Sequence, residues 1–293
     1  MKQLAIISGK GGTGKTTIAA CFAQLAKNKI MADCDVDAPN LHLVLEADKQ
    51  EERDFSGAKV AVIDVEKCNQ CGKCVEVCRF QAIGNLIMNN LKYWKVNNLK
   101  CEGCAACFYV CPEQAVELVD EITGKTFLSQ TPQGKFSHAL LGVGAEGSGK
   151  LVTEVRKGAY ALKENEDLLI IDGSPGIGCS VIASITGCHA VLVISEPTQS
   201  GLHDLSRVAE LAEHFGIRVF LAINKYDLNQ EVGQEIERFA QEKGIEVVGR
   251  IPFDPLVLKA LQQGKSLMSY ESSPAAQAIQ EIWGKINKIM KEE

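Results

Sequence analysis

The sequence predicts a doubly wound α/β domain on a mostly parallel sheet, interrupted by a small, cysteine-rich α+β insertion. Two observations carry that expectation. Short aliphatic runs alternate with amphipathic stretches of helical length along most of the chain, the order that gives a parallel sheet covered on both faces. Between residues 57 and 120 that alternation stops, and eight of the twelve cysteines fall there in two runs. With 46% hydrophobic but only 6% aromatic residues, the composition suits aliphatic buried strands. A chain of 293 residues is long enough for one large core and a smaller appended one. The expected boundaries are 1–56 with 121–293 for the discontinuous α/β domain and 57–120 for the insertion.

The first strand is expected over Leu4 to Ser8 and the first helix over Thr16 to Lys27. Between them, Ser8-Gly9-Lys10-Gly11-Gly12-Thr13-Gly14-Lys15-Thr16-Thr17 fits G-x-x-x-x-G-K-[ST], with the strand before and helix after that this phosphate-binding loop requires. Glycines let successive N–H groups face phosphate oxygens, and the helix N-terminus adds partial positive charge. Gly11, Gly12, Thr13, Gly14, Lys15, Thr16 and Thr17 are therefore the expected nucleotide-binding residues. Lys15 would reach the β- and γ-phosphates, and the Thr16 hydroxyl would ligate Mg²⁺. A near-copy, Gly144 to Lys150, has Leu151 where Ser or Thr must hold the metal and lacks a strand leading into it. It is expected to be a flexible loop.

The second strand, Lys29 to Asp33, runs into Asp33-Cys34-Asp35-Val36-Asp37-Ala38-Pro39-Asn40-Leu41, which offers three carboxylates. Beyond the insertion and a glycine-rich stretch come a helix near Val152 to Lys163, a strand Leu168 to Asp172, a helix near Ser180 to Thr186 and a strand Ala190 to Ser195. A helix Leu202 to Phe215, a strand Arg218 to Ile223, a helix Glu231 to Lys243, a strand Glu246 to Ile251 and two more helices complete the order. A buried parallel strand can end in Asp, as at Asp172, without chemistry, and Asn224 after its strand can be an ordinary turn residue. In the last helix Ile279, Ile282, Ile286 and Ile289 form an apolar stripe. Glu281, Glu292 and Glu293 temper its lysine face, which favours docking on the core over peripheral membrane binding.

In the insertion, Cys68, Cys71, Cys74 and Cys78 form C-x2-C-x2-C-x3-C, and Cys101, Cys104, Cys107 and Cys111 repeat it at an offset of 33. Ala82-Ile83 answers Ala115-Val116 at the same offset. This is the bacterial two-cluster ferredoxin pattern, in which the fourth cysteine of each run ligates the other cluster. One [4Fe–4S] cluster would use Cys68, Cys71, Cys74 and Cys111, and the other Cys101, Cys104, Cys107 and Cys78. Structural zinc prefers paired C-x2-C or Cys with His and leaves no natural partition of all eight. Neither a signal peptide nor an apolar membrane span is evident, so a cytoplasmic location without disulfides is expected. The first run ends Cys78-Arg79 where the second ends Cys111-Pro112, and a cation beside a ligand favours the reduced cluster. Cys21, Cys34, Cys179 and Cys188 read as small buried hydrophobes. The five histidines, including His42 and His138, form no recognisable ligand set.

With Lys10 in place, the loop resembles the deviant Walker A motif of the MinD/ParA group of ATPases, which includes the nitrogenase iron protein and Mrp-type iron–sulfur carriers. The resemblance implies an ATP-bound homodimer in which Lys10 reaches the partner's phosphates. It implies that Asp35 orients the attacking water, with Asp37 as the alternative, and that Asp33 sits in the metal's outer shell. Asp172 resembles the Walker B acid, a second group linked to Mg²⁺, and Asn224 resembles the asparagine that reads adenine. Taken whole, the chain resembles MinD-superfamily P-loop ATPases that contain an inserted ferredoxin domain. The implied function is ATP hydrolysis, with Lys10, Lys15 and Asp35 catalytic, coupled to electron transfer through two clusters to an unidentified redox partner. An iron–sulfur carrier and a MinD-like spatial regulator with a redox sensor are the alternatives. Mrp-type carriers resemble one another in a C-x-x-C outside the ATP site, and this chain has none outside the insertion. A net charge of -6 argues against non-specific nucleic-acid binding.

Overall fold

The computed structural model describes residues 1–88, 91–142, 144, 145 and 147–292. Glu146 of the near-copy and Glu293 of the last helix lie outside the described residues. The chain forms two units: residues 1–53, 126–140 and 148–293 make the larger, and residues 54–125 with 141–147 the smaller.

In chain order the strands are β1 (Lys2–Ser8), β2 (Lys29–Asp33), β3 (Asp48–Ile63), β4 (Ile83–Met88), β5 (Leu91–Val96), β6 (Val116–Thr131), β7 (Gly134–Leu141), β8 (Leu168–Pro175), β9 (Ala190–Ser195), β10 (Arg218–Asn224) and β11 (Glu246–Ile251). The helices are α1 (Lys15–Leu25), α2 (Leu41–Val44), α3 (Lys73–Val77), α4 (Ala106–Val110), α5 (Ser148–Ala161), α6 (Cys179–Ile185), α7 (Gln199–His214), α8 (Gln230–Glu242), α9 (Leu256–Gln262) and α10 (Pro274–Glu292). Nine strands make one sheet in the order β11-β10-β9-β1-β8-β2-β7-β6-β3, parallel at every pairing from β11 to β7.

The apolar runs explain the centre of this sheet. Leu4, Ala5, Ile6 and Ile7 of β1 and Leu169, Ile170 and Ile171 of β8 are fully buried, as strands covered on both faces must be. Because β1 is central and both β2 and β8 run parallel to it or to each other, their carboxyl ends converge on one edge. That edge is where open parallel sheets present their ligand sites. The last helix starts where Ser273 accepts the Ala276 N–H and is itself held by buried Asp254. Its Ile279, Ile282 and Ile286 are buried in the core and Ile289 packs on it, so the stripe is docked. No helix among the described residues is long and apolar enough to cross a membrane.

Three features differ from the sequence reading. Strands β3, β6 and β7 were not expected; in β3, residues such as Glu51, Glu52 and Arg53 hide the strand pattern in a charged stretch. Ser148-Gly149-Lys150 of the near-copy is the first turn of α5 rather than loop. Cys179 opens α6 exposed to solvent, whereas Cys21, Cys34 and Cys188 are buried.

The smaller unit repeats itself at the offset of 33. Helix α3 matches α4, and left-handed residues match in pairs: Gln70 with Gly103, Gly72 with Ala105, Gln81 with Gln114. The Asp64 N–H donates to the Ala115 carbonyl and the Asn97 N–H to the Ala82 carbonyl, both at 2.7 Å. A small core of Ala61, Cys74, Ile83, Val96, Cys107 and Val116 lies between the halves.

Candidate nucleotide site and cysteine cavities

Sequence places Lys15 in the first turn of a helix whose start needs a left-handed residue, and Gly14 supplies it at φ 93°. Lys15 is 5% exposed and, with Gly11, Gly12, Gly14, Thr16 and Thr17, lines a cleft of about 910 Å³. Asp35, Asp37, Ser174, Asn224 and Phe253 line the same cleft. Its size lies within the range of small-molecule sites, roughly 300–1,000 Å³.

Asp33 and Asp172 are register partners at the ends of neighbouring β2 and β8, and both are fully buried. Asp33 is held by backbone: its Oδ1 accepts the Asp35 N–H at 3.0 Å and its Oδ2 the Leu41 N–H at 3.2 Å. Asp172 has no hydrogen bond of sound geometry to either oxygen among the described residues, although the Thr16 hydroxyl is close enough to favour its charged form. Burial pushes the Asp172 carboxyl up to about 7, against the pull of Lys15 and Thr16. Burial and the neighbouring Asp172 drive Asp33 well above the usual carboxylate range. Asp35 is also raised, by burial and by Asp37, with Lys15 opposing. Two buried acids side by side, one with unsatisfied oxygens, are costly unless a cation joins them. The donor set, two carboxylates beside a threonine hydroxyl and all oxygen, is one a hard cation such as Mg²⁺ takes.

Lys10 has partners of its own. Its Nζ is 3.3 Å from Glu196 Oε2 and 3.4 Å from Ser200 Oγ. Glu196, just past β9, also holds Lys225 Nζ at 2.6 Å. Asn224 lines the cleft, and its Nδ2 donates to the Thr13 carbonyl at 2.7 Å. Glu196 and this contact of Asn224 were missed from sequence. Glu196-Pro197 carries no motif signal, and a side chain's partner is not written in its spacing.

In the smaller unit, one cavity is lined by Cys68, Cys71, Cys74 and Cys111, together with Trp94 and Val116. A second is lined by Cys101, Cys104, Cys107 and Cys78, with Phe80 and Ile83. In each, three cysteines come from one run and the fourth from the other. Backbone N–H groups of Ala82 and Ala115 donate to the Sγ of Cys78 and Cys111 at 3.3 Å, and that of Ala61 to Cys101 at 3.4 Å. Burial raises the thiols of Cys74 and Cys107. Among the described residues no three His, Cys, Asp or Glu side chains are placed to hold a single metal ion.

Residues 4–267 match the family described as the CobQ/CobB/MinD/ParA nucleotide binding domain. An uncharacterized protein of Methanocaldococcus jannaschii is 32% identical, over 98% of this chain and 97% of its own length. A Pyrococcus horikoshii protein named as an iron-sulfur cluster carrier protein is 21% identical, over 99% of this chain and 87% of its own. Among solved structures, the septum site-determining protein MinD complexed with Mg-ADP, also from Pyrococcus horikoshii, matches with a TM-score of 0.59 at 18% identity. That match covers 99% of this chain and 97% of the other and is a similarity of fold.

Proposed function

The chain belongs to the CobQ/CobB/MinD/ParA nucleotide-binding family as a MinD/ParA-superfamily P-loop ATPase, and on that premise we propose that it couples ATP binding, hydrolysis and homodimerisation to electron transfer through two [4Fe–4S] clusters. What carries the proposal is that one chain joins this ATP site to two cavities of four cysteines each. Lys15 and the loop N–H groups would hold the phosphates, and Thr16 with Asp172 and Asp33 would hold Mg²⁺. Asp35 would orient water for in-line attack, while Lys10 would leave Glu196 to meet the partner's phosphates.

The donor set of the cavities fits a cubane. A single zinc needs four donors about 2.0–2.3 Å from one point, whereas a cubane spreads its four thiolates over four irons. Backbone N–H···S bonds stabilise thiolate charge, one of the ways proteins set cluster potentials. Bound clusters would store and pass single electrons; the chain's own part is to hold them and shield them with Trp94, Ile83 and Val116. The carrier reading is favoured by relatives named as iron-sulfur cluster carrier proteins, at 21% and 22% identity over 99% of this chain. Full cysteine ligation without an open position favours electron transfer instead.

The test is anaerobic purification with iron and acid-labile sulfide analysis, followed by ATPase assay and redox titration. About eight irons per chain and reversible one-electron reduction are expected. Transfer of clusters to an apo-ferredoxin, faster with ATP and without reversible redox chemistry, would instead establish a carrier.

A further inference from the structure

Asn224 ends β10 with its side-chain amide turned to the phosphate loop. Its Nδ2 donates to the Thr13 carbonyl at 2.7 Å, and its Oδ1 accepts the Lys225 N–H at 3.0 Å. The approach is close: a Cβ on Gly14 would lie 2.6 Å from Nδ2. Glycine at position 14 therefore serves both its positive φ and the passage of this amide.

A trans peptide is planar, so its C=O and N–H point in opposite directions. Fixing the Thr13 carbonyl on Asn224 therefore fixes the Gly14 N–H on the other side of the same peptide plane. Gly14 itself lines the cleft, and N–H groups at this end of the loop are the donors that anions meet at a helix start. The far end of the clamp is also secured. Lys225, left-handed at φ 55°, ties the β10 terminus to Glu196 through its Nζ.

We propose that Asn224 is a positioning residue for phosphate binding, which holds the Thr13–Gly14 peptide so that the Gly14 N–H faces the nucleotide's phosphates. This goes beyond the family resemblance, which makes the same residue a reader of adenine. It rests on nucleotide binding and is independent of the cysteine-bearing unit.

The two roles separate when the base is removed. Asn224→Asp keeps the size and the acceptor for Lys225 but loses the donor and sets an oxygen against the Thr13 carbonyl. The probes are Mg-ATP, Mg-GTP and Mg-tripolyphosphate, titrated calorimetrically against the whole protein. A Gly14 N–H turned out of line loses its hydrogen bond to a charged phosphate, which should weaken binding roughly 10- to 150-fold. The expected result is a similar loss for ATP and tripolyphosphate, with the ATP-to-GTP preference unchanged. An ATP-to-GTP preference that collapses while tripolyphosphate affinity is kept would overturn the proposal, and so would unchanged affinities throughout. If tripolyphosphate binds too weakly to measure, the ATP-to-GTP ratio alone decides. Asn224→Ser, too short to reach Thr13, repeats the test should Asn224→Asp not fold. Failure of the unaltered protein to bind any nucleotide would instead sink the ATP site itself.

Discussion

His138 makes stability depend on pH in a direction that can be worked out from its surroundings. It lies in β7, 3% exposed, with ring centroids of Phe136, Phe127 and His42 at 4.6, 4.9 and 5.5 Å and near-parallel planes. Its Nε2 pairs with Ser129 Oγ at 3.0 Å, and Lys49 Nζ lies 4.1 Å from the Phe127 ring. Burial, His42 and Lys49 together push its pKa from 6.5 down to about 3. The folded protein thus keeps the ring neutral while the unfolded chain protonates it below pH 6.5. Stability from this residue is complete above pH 6.5 and lost as pH falls toward the folded value. At about 1.4 kcal/mol per pH unit, going from pH 7.5 to 5.0 should cost ~2 kcal/mol.

Asp33 and Asp172 act in the opposite sense, since raised carboxyls keep protons that the unfolded chain has released. A comparison with His138→Phe cancels them. Urea unfolding of both proteins, followed by circular dichroism at pH 7.5 and 5.0, should show the unaltered protein losing ~2 kcal/mol more than the variant. Equal losses would refute the buried neutral imidazole. The His138 resonance itself, assigned by its loss in His138→Phe, titrating near 6.5 in the folded protein by NMR would refute it directly.

Under the proposed ligation, Cys78→Ser should disturb the cluster of Cys101, Cys104 and Cys107 in the EPR spectrum of reduced protein; loss confined to the Cys68 run would contradict crossed ligation. Lys15→Ala should weaken nucleotide binding, and Asp35→Ala should leave ATP bound while hydrolysis stops, both read by calorimetry and phosphate release. Glu196→Gln removes the charge that holds Lys10 and Lys225. Because a half-exposed pair contributes about 0–1 kcal/mol, ATP-dependent dimerisation measured by light scattering should rise by roughly 5-fold at most, and a fall would show that Glu196 assists Lys10. Asp172→Asn relieves one buried acid, so it should raise the stability of the metal-free protein and abolish the added stability that Mg-ATP gives, both seen in thermal unfolding.

The phosphate loop and the alternating order were legible because both depend on local spacing. Gly14 at its left-handed position and the aliphatic β1 and β8 are encoded residue by residue. Asp33 and Asp172 were legible as strand ends but not as neighbours, because strand order is a property of the whole sheet. The repeat of the smaller unit was legible in its cysteines and invisible in its turns. Gly103 answers Gln70 and Ala105 answers Gly72, so each of these two left-handed pairs holds a single glycine, and Gln81 with Gln114 holds none. The His42 and His138 stack joins α2 to β7 across 96 positions of sequence, a contact that no spacing rule reports. Strand β3 escaped notice because an edge strand bearing Glu51, Glu52 and Arg53 shows no apolar period.

The charges of the nucleotide site suggest how its state is passed along the chain. Lys15 is the cation among three acids with raised carboxyls, while Lys10 is held on Glu196. Phosphates arriving without metal would meet those acids, so nucleotide and Mg²⁺ should bind far better together than either alone. A metal bound as proposed would favour the ionised form of Asp33, whose Oδ2 accepts the N–H of Leu41, the first residue of α2. A short connection leads from α2 into β3, and β3 runs to Ile63, just before Cys68. The same segment carries His42 onto the His138 stack. If this path moves with the metal, linkage requires reciprocity: a nucleotide that shifts a cluster's potential must have its own affinity shifted by reduction, by the same free energy, typically ~1–3 kcal/mol. The coupling can therefore be sought from the nucleotide side with the Asp35→Ala protein, expected to bind ATP without turning it over. Identical ATP affinities in its oxidised and reduced forms would leave only a kinetic gate through dimerisation.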